Sequence, residues 1–155
     1  DLSYDVAVGD VDGDSDLDLF VANAGQSSLL INNGDGVFED PAVGRLPPLD
    51  ATVMGAAFGD LDGDADLDLI LAVAAGQNRV LINDGTGVFS DQTATRLPAD
   101  SQLSMAVALG DVDNDGDADL LVANKGGQNR LLINNGSGQF ADQTDTRLPA
   151  VSGPS

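Results

Sequence analysis

Fifteen of the 26 acidic residues in this 155-residue chain fall into three short segments. Residues 9–23 read GDVDGDSDLDLFVAN, with carboxylates at Asp10, Asp12, Asp14, Asp16 and Asp18. The text returns as GDLDGDADLDLILAV from Gly59, with Asp60, Asp62, Asp64, Asp66 and Asp68. A third copy, GDVDNDGDADLLVAN from Gly110, carries Asp111, Asp113, Asp115, Asp117 and Asp119. Counted from the first aspartate of each copy, acids stand at positions 1, 3, 5, 7 and 9. On a straight strand they would share one face about 7 Å apart and only repel. A tight loop aims them at a common centre, which is worse unless a cation sits there. A hard divalent cation takes six to eight oxygens, and Ca²⁺ tolerates irregular geometry better than Mg²⁺. Gly13 and Gly63 at position 4, and Gly116 at position 6, let the backbone wrap tightly.

Two known loop types do not fit. An EF-hand loop requires Glu at position 12 and helical flanks. Here position 12 is Val21, Leu71 or Val122, inside an apolar run. A nonapeptide calcium repeat would bring its acids back every nine residues or so. These return after about fifty.

The elements that must hold the loops are themselves repeated. Gly34, Gly85 and Gly136 are spaced by 51 residues, as are Arg45, Arg96 and Arg147, each followed by Leu-Pro. Asp10 to Asp60 is 50 and Asp60 to Asp111 is 51, so the first copy is one residue shorter, between Asp18 and Gln26. Every copy parses alike. A short strand (DVAVG, GAAFG or MAVALG) precedes the aspartate loop. A second strand follows (LDLFVA, LDLILAV or ADLLVA), an apolar run suited to burial on both faces. After a Gly-Gln turn comes a third strand (SLLIN, RVLIN or RLLIN). Asn33-Gly34, Asp84-Gly85 and Asn135-Gly136 then predict type I′ hairpin turns with positive φ at both central residues. A brief fourth strand (GVFED, GVFSD or GQFAD) leads to a connector ending in Arg-Leu-Pro. Four antiparallel strands at this period predict one β-propeller blade per copy. A β-solenoid or a stack of small sheets is the competing arrangement, and no helical period of useful length is present. The expected fold is all-β: three tandem four-stranded antiparallel blades, an open arc or part of a larger ring. The expected domain is single, residues 1–155, with blades at 4–53, 54–104 and 105–155.

Composition narrows the function. The net charge of −20 repels nucleic acid and anionic membrane surfaces and attracts cations. The charge is clustered between regular apolar runs, which argues against disorder. The absence of Cys and His removes disulfides, thiol chemistry, structural zinc and histidine-based catalysis. The longest apolar run, residues 69–75, is a strand's worth and no membrane span. The opening DLSYDVAVGD lacks Met and reads like the interior of a repeat, so a mature chain or an excised part of a longer one is expected.

The segment FGDLDGDADLDLI from Phe58 and its near-copies, with LLINNGDGVFED, VLINDGTGVFSD and LLINNGSGQFAD, resembles FG-GAP repeats. These are also called VCBS repeats and are similar to the calcium loops of integrin α-subunit propellers. The resemblance covers nearly all of the chain. It implies a loop joining the first two strands of each blade and one Ca²⁺ per loop, about three in all. Side chains at positions 1, 3, 5 and 9 would bind it, with the backbone carbonyl of position 7. That implicates Asp10, Asp12, Asp14 and Asp18, then Asp60, Asp62, Asp64 and Asp68, then Asp111, Asp113, Asp115 and Asp119. Asp16, Asp66 and Asp117 would ligate by carbonyl. The third loop departs with Asn114 at position 4, which shifts the flexible point to Gly116. Bracing of the fold, rather than signalling, is the expected role of the ion.

Other residues are read structurally. The sequon Asn135-Gly136-Ser137 coincides with a turn that needs Asn-Gly anyway. Arg79 and Arg130 are candidates for binding a carboxylate or a sugar, with salt bridges the preferred reading; the first copy has Ser28 there. Arg45, Arg96 and Arg147 are expected to fix the connectors, and Asp40, Asp91 and Asp142 to cap turns. Asn23 and Asn124 are candidates for a ligand groove, weakened by Val73 in the second copy. No catalytic constellation emerges, although a pair of glycosidase carboxylates is left open. The expectation is an extracellular or cell-surface, non-enzymatic scaffold for adhesion or assembly. Its partners would be protein or glycan ligands, further copies of itself, or neighbouring blades, with no nucleic acid and no membrane insertion. The rivals are a carbohydrate-binding propeller, or part of a polysaccharide-active enzyme. Because propellers close with four to eight blades, three require a longer chain, several chains or a fibre.

Overall fold

The computed structural model describes residues 2–40 and 44–150. Three four-stranded antiparallel sheets follow one another along the chain, each with its strands in sequence order. The first holds β1 (Ser3–Gly9), β2 (Asp18–Asn23), β3 (Ser28–Asn32) and β4 (Phe38–Glu39). The second holds β5 (Val53–Gly59), β6 (Asp68–Val73), β7 (Arg79–Asn83) and β8 (Phe89–Asp91). The third holds β9 (Ser104–Gly110), β10 (Asp119–Asn124), β11 (Arg130–Asn134) and β12 (Phe140–Asp142). These are propeller-like blades in an open arrangement. The first strands β1, β5 and β9 lie side by side, so the sheets fan out like spokes. Gly55 permits this approach: a Cβ there would stand 2.9 Å from the Cα of Ala106 on the next blade.

A single sheet has no interior, so the core lies between blades. One cluster joins Phe20, Ala22 and Leu29 of the first blade to Leu69, Leu71 and Leu81 of the second. The other joins Ile70, Val80 and Ile82 to Leu120, Val122 and Leu132. Alternate residues of β6 thus serve opposite neighbours, and all six are buried. The matching apolar runs of β2 and β10 were expected to be buried on both faces as well. They are not: Leu19 and Val21 are partly exposed, and Leu121 is 42 % exposed. The reason is position, since each outer blade has a neighbour on one side.

Two local expectations are corrected. The β-hairpins between third and fourth strands are not two-residue type I′ turns. Asn32 pairs with Phe38, leaving a five-residue loop in which Gly34 and Gly36, rather than Asn33, take positive φ (85° and 74°). The Asn33 Oδ1 accepts the Asp35 N–H, and Asn32 Oδ1 accepts the N–H groups of Gly34 and Gly36. These side-chain bonds hold a wider loop than the dipeptide alone suggests. The connectors also contain one-turn helices, α1 (Thr93–Arg96) and α2 (Thr144–Arg147), too short to leave a periodic signal. Residues 41–43, in the corresponding part of the first copy, and 151–155, at the end of the expected third blade, lie outside the described residues.

Candidate metal centres

Each aspartate loop connects the first two strands of its blade, and its backbone is bent at two points. Positions 4 and 6 have positive φ in every copy: Gly13 and Ser15, Gly63 and Ala65, Asn114 and Gly116. The third loop therefore does not move the flexible point. It exchanges which of two left-handed positions carries the glycine. The position-1 carboxylate ties the bend: Asp10 Oδ1 accepts the Gly13 N–H at 2.8 Å and Oδ2 the Ser15 N–H at 2.9 Å. Asp60 and Asp111 do the same in their loops.

Position 9 anchors the loop to the sheet. Asp18 and Asp68 are fully buried and Asp119 is 1 % exposed. Each Oδ2 accepts the position-2 N–H, from Val11, Leu61 or Val112, at 3.0–3.1 Å. Each Oδ1 accepts the N–H of the asparagine ending the third strand, Asn32, Asn83 or Asn134, at 2.9 Å. Burial pushes Asp68 up to about 6, against these hydrogen bonds and with help from Asp62 and Asp64. Burial likewise raises Asp12, assisted by Asp18, Asp14 and Asp10 and opposed by Arg45. Carboxylates placed where their own charge is disfavoured are relieved by a cation among them.

Ligand atoms of Asp10, Asp12 and Asp18 lie within 4.8 Å of one another, as do those of Asp60, Asp62 and Asp68, and those of Asp111, Asp113 and Asp115. Position 5 thus joins the cluster in the third loop, and position 9 in the first two. In all three loops the exposed position-5 aspartate, Asp14, Asp64 or Asp115, accepts the position-7 N–H through Oδ1. The position-7 carboxylates are not among these clustered ligand atoms. Asp16, Asp66 and Asp117 lie against hairpin glycines Gly34, Gly85 and Gly136, where a Cβ would meet their Oδ2 at 2.5–2.7 Å. Any ligand role for these three rests on their carbonyls, not on their side chains.

Position 3 supplies the test of fit. Four buried side-chain polar atoms among the described residues have no hydrogen-bond partner, and three are Oδ1 of Asp12, Asp62 and Asp113. The same oxygen is orphaned in every loop, within the cluster of carboxylates. A buried acceptor without a donor is costly, and oxygen-only donor sets suit Ca²⁺. The residues fit such an ion.

The other oxygen of position 3 reveals a contact that the repeat alone does not show. Asp12, Asp62 and Asp113 pair through Oδ2 with Arg45, Arg96 and Arg147 of their own connectors, at 3.4, 2.9 and 3.1 Å. Arg45 Nη1 also donates to Thr86 O at 2.7 Å, and Arg96 Nη1 to Ser137 O, in the hairpin loop of the following blade. Asn83 Nδ2 reaches back to Val11 O at 2.7 Å, and Asn134 Nδ2 to Leu61 O at 2.8 Å. The first two loops are therefore each clasped by the next blade. The Arg-Leu-Pro arginines do fix connectors, and the asparagines of LLIN and VLIN are the functional partners that sequence reading passed over. Their signal was a polar residue at the end of an apolar strand in every copy.

The remaining candidates are structural. Arg79 pairs with Asp91 at 2.9 Å, and Arg130 with Asp142 and Asp100, both at 2.8 Å. Asp91 and Asp142 accept the N–H groups of Thr93 and Thr144, closing turns as expected. Asn23 and Asn124 are engaged within their own blades. Their Oδ1 atoms accept from Ser3 and Ser104 and their Nδ2 atoms donate to Gln26 O and Gln128 O. No helix among the described residues is long and apolar enough to cross a membrane.

The FG-GAP-like repeat model matches three tandem stretches, residues 10–71, 60–122 and 111–155. The chain belongs to the FG-GAP-like repeat family. No curated protein matches it. Among solved structures, an Agrocybe aegerita lectin described as specifically recognising non-reducing terminal N-acetylglucosamine is similar, with a TM-score of 0.53 at 22 % identity. That alignment covers 86 % of this chain and 36 % of the lectin, so the FG-GAP-like blades span about a third of that protein's length. At this identity the likeness shows the fold alone.

Proposed function

We propose that these FG-GAP-like blades form a calcium-braced, non-enzymatic scaffold for assembly or adhesion, working outside the cell or at its surface. The observation that carries the reading is the buried, partnerless position-3 oxygen repeated in Asp12, Asp62 and Asp113. Ca²⁺ would be held by positions 1, 3, 5 and 9, with the position-7 carbonyl, and would supply the positive charge that these carboxylates lack. In the first two blades the ion would pin a loop already clasped by the next blade, which supports a structural role. Millimolar extracellular Ca²⁺ would keep even weak sites filled, which favours that location. The lack of His and Cys, and the engagement of the aspartates in loops and turns, support a non-catalytic role.

Native mass spectrometry with added Ca²⁺ tests the stoichiometry, with three ions per chain expected. Chelation should lower the melting temperature and Ca²⁺ should restore it. A chelated chain as heat-resistant as the calcium-loaded one would sink the reading.

A second reading, a carbohydrate-binding propeller, draws on the lectin likeness. A cleft of about 560 Å³ lined by Ala24, Gln26, Pro47, Pro48 and Thr52, at the sheet end opposite the loops, offers such a ligand room. Binding to glycans ending in N-acetylglucosamine is the discriminating measurement.

A further inference from the structure

The two internal junctions follow one rule. The blade that comes first presents a loop residue (Val11 or Leu61, 2 % and 1 % exposed), that residue's carbonyl, and an arginine. The blade that follows presents an asparagine donor, a hairpin carbonyl and a rim phenylalanine, Phe89 or Phe140, 5 % and 7 % exposed. The outer blades leave one half of this rule each. On the third blade the loop residue Val112 is 51 % exposed and Leu121 42 %. Its Arg147 pairs with Asp113. On the first blade Phe38 is 40 % exposed, and Val6 and Val8 on β1 are 50 % and 53 % exposed. Its Asn32 donates through Nδ2 to Leu17 O at 3.3 Å, whereas Asn83 and Asn134 make that bond and the one across the junction as well.

The seat for the arginine is also present. A Cβ on Gly87 or Gly138 would strike the guanidinium of Arg45 or Arg96, but a Cβ on Gly36 would meet nothing within 4 Å. Beside that space stands Asp35, where the other loops have Thr86 and Ser137, so an incoming Arg147 would find a carboxylate as well as a carbonyl. The two faces are complementary halves of a contact already made twice within the chain.

We infer that the outer face of the third blade docks on the outer face of the first blade of a second copy, closing two chains into a ring. Propellers close with four to eight blades. Two copies of the three described blades supply six, which is within that window. Both junctions are then the same head-to-tail contact, which closes rather than propagating into a filament. This deepens the assembly part of the proposed function by naming its partner, and it does not depend on which cation fills the loops.

The test is sedimentation and native mass spectrometry of the whole chain in Ca²⁺ across the micromolar range. A particle of twice the 15.7 kDa protomer mass is expected. Leu121→Asp breaks one face and Phe38→Asp the other; both side chains are exposed, so circular dichroism should report an unchanged fold. Each variant alone should be monomeric. Mixed, they retain one intact pair of faces and should regain a heterodimer. A monomeric wild type, a trimer or filament, or a mixture that stays monomeric overturns the ring. Loss of the dimer with three ions still bound refutes this inference alone; a dimer that binds no Ca²⁺ refutes the cation reading alone.

Discussion

Asn134 is where the clasp between blades can be weighed. Its side chain is 2 % exposed. Nδ2 donates to Leu61 O at 2.8 Å in the neighbouring blade and to Ala118 O at 3.1 Å in its own. Oδ1 accepts the Gly136 and Gly138 N–H groups at 3.2 and 3.0 Å. Asn134→Ala removes all four bonds from a buried site. At about 1 kcal/mol net per bond, less some relaxation and water entry, the loss is about 3 kcal/mol. For a domain of this length that is roughly a 6–12 °C drop in melting temperature. The control is the next residue. Asn135 also makes four bonds: Oδ1 accepts from Ser137 N–H, Ser137 Oγ–H and Gln139 N–H, and Nδ2 donates to Gln139 Oε1 at 3.5 Å, but it is exposed and water replaces them. Asn135→Ala should cost about 1 kcal/mol or less.

The isosteric Asn134→Asp sharpens the test. It keeps the two acceptor bonds, but sets an oxygen where the donor faced two carbonyls. It should cost at least as much as the alanine change at neutral pH. Burial raises the pKa of the introduced carboxyl, so protonation on mild acidification restores a donor and the aspartate variant should gain on the alanine variant as pH falls. Thermal and urea unfolding in constant excess Ca²⁺ provide the measurements. The reasoning fails if Asn134→Ala costs under about 1 kcal/mol, or no more than Asn135→Ala, or if the aspartate variant is neutral.

Arg130→Met should destabilise by about 3–5 kcal/mol, because it strands Asp100, whose side chain is 4 % exposed, as a buried unpaired charge. Arg79→Met, at a pair 38 % and 29 % exposed, should cost about 1 kcal/mol or less in the same urea titration. At Asp142 burial opposes ionisation, but hydrogen bonds from Thr144 and the Arg130 guanidinium outweigh it and hold the carboxyl below its ordinary value of 3.8. A depressed carboxylate stabilises the fold above the unfolded pKa and loses that effect as pH falls through the folded one. The gap between wild type and Asp142→Asn should therefore be widest at neutral pH, about 1 kcal/mol or less given solvent screening, and close below about pH 4.

The repeat made the blades legible, because strand order within a sheet follows from short connections and alternating apolar runs. The gathering of three carboxylates per loop was legible for an electrostatic reason: acids at fixed spacing three times point to a shared centre. What the residues did not disclose is how burial differs between equal segments. LDLFV in β2 and LDLIL in β6 look alike, yet only β6 lies between two blades. The division of labour among the aspartates was equally hidden. Position 7 turns to a hairpin glycine and position 9 binds two backbone N–H groups, and both depend on the third strand folding back on the loop. One-turn α1 and α2 are below the length at which periodicity carries information.

Candidate metal centre and blade junction share a residue, and this makes the three loops unequal. In the first two, the arginine that partners position 3 also donates to a hairpin carbonyl of the next blade. That fixes Asp12 and Asp62 with the orphaned oxygen facing their neighbours. In the third, Arg147 is 40 % exposed, Asp111 is exposed, and no described blade covers Val112. Its carboxylates would have to be ordered by a bound ion, which would subtract from binding free energy. In the monomeric Leu121→Asp variant, calcium titration should therefore resolve two tighter sites and one weaker site. The weak one should vanish in the double variant carrying Asp113→Asn as well. Three indistinguishable sites in the monomer, or a weakest site abolished by Asp62→Asn instead, would show that the clasp does not preorganise the loops. In the closed wild-type dimer every loop has a following blade, so the same titration should show a single class of site.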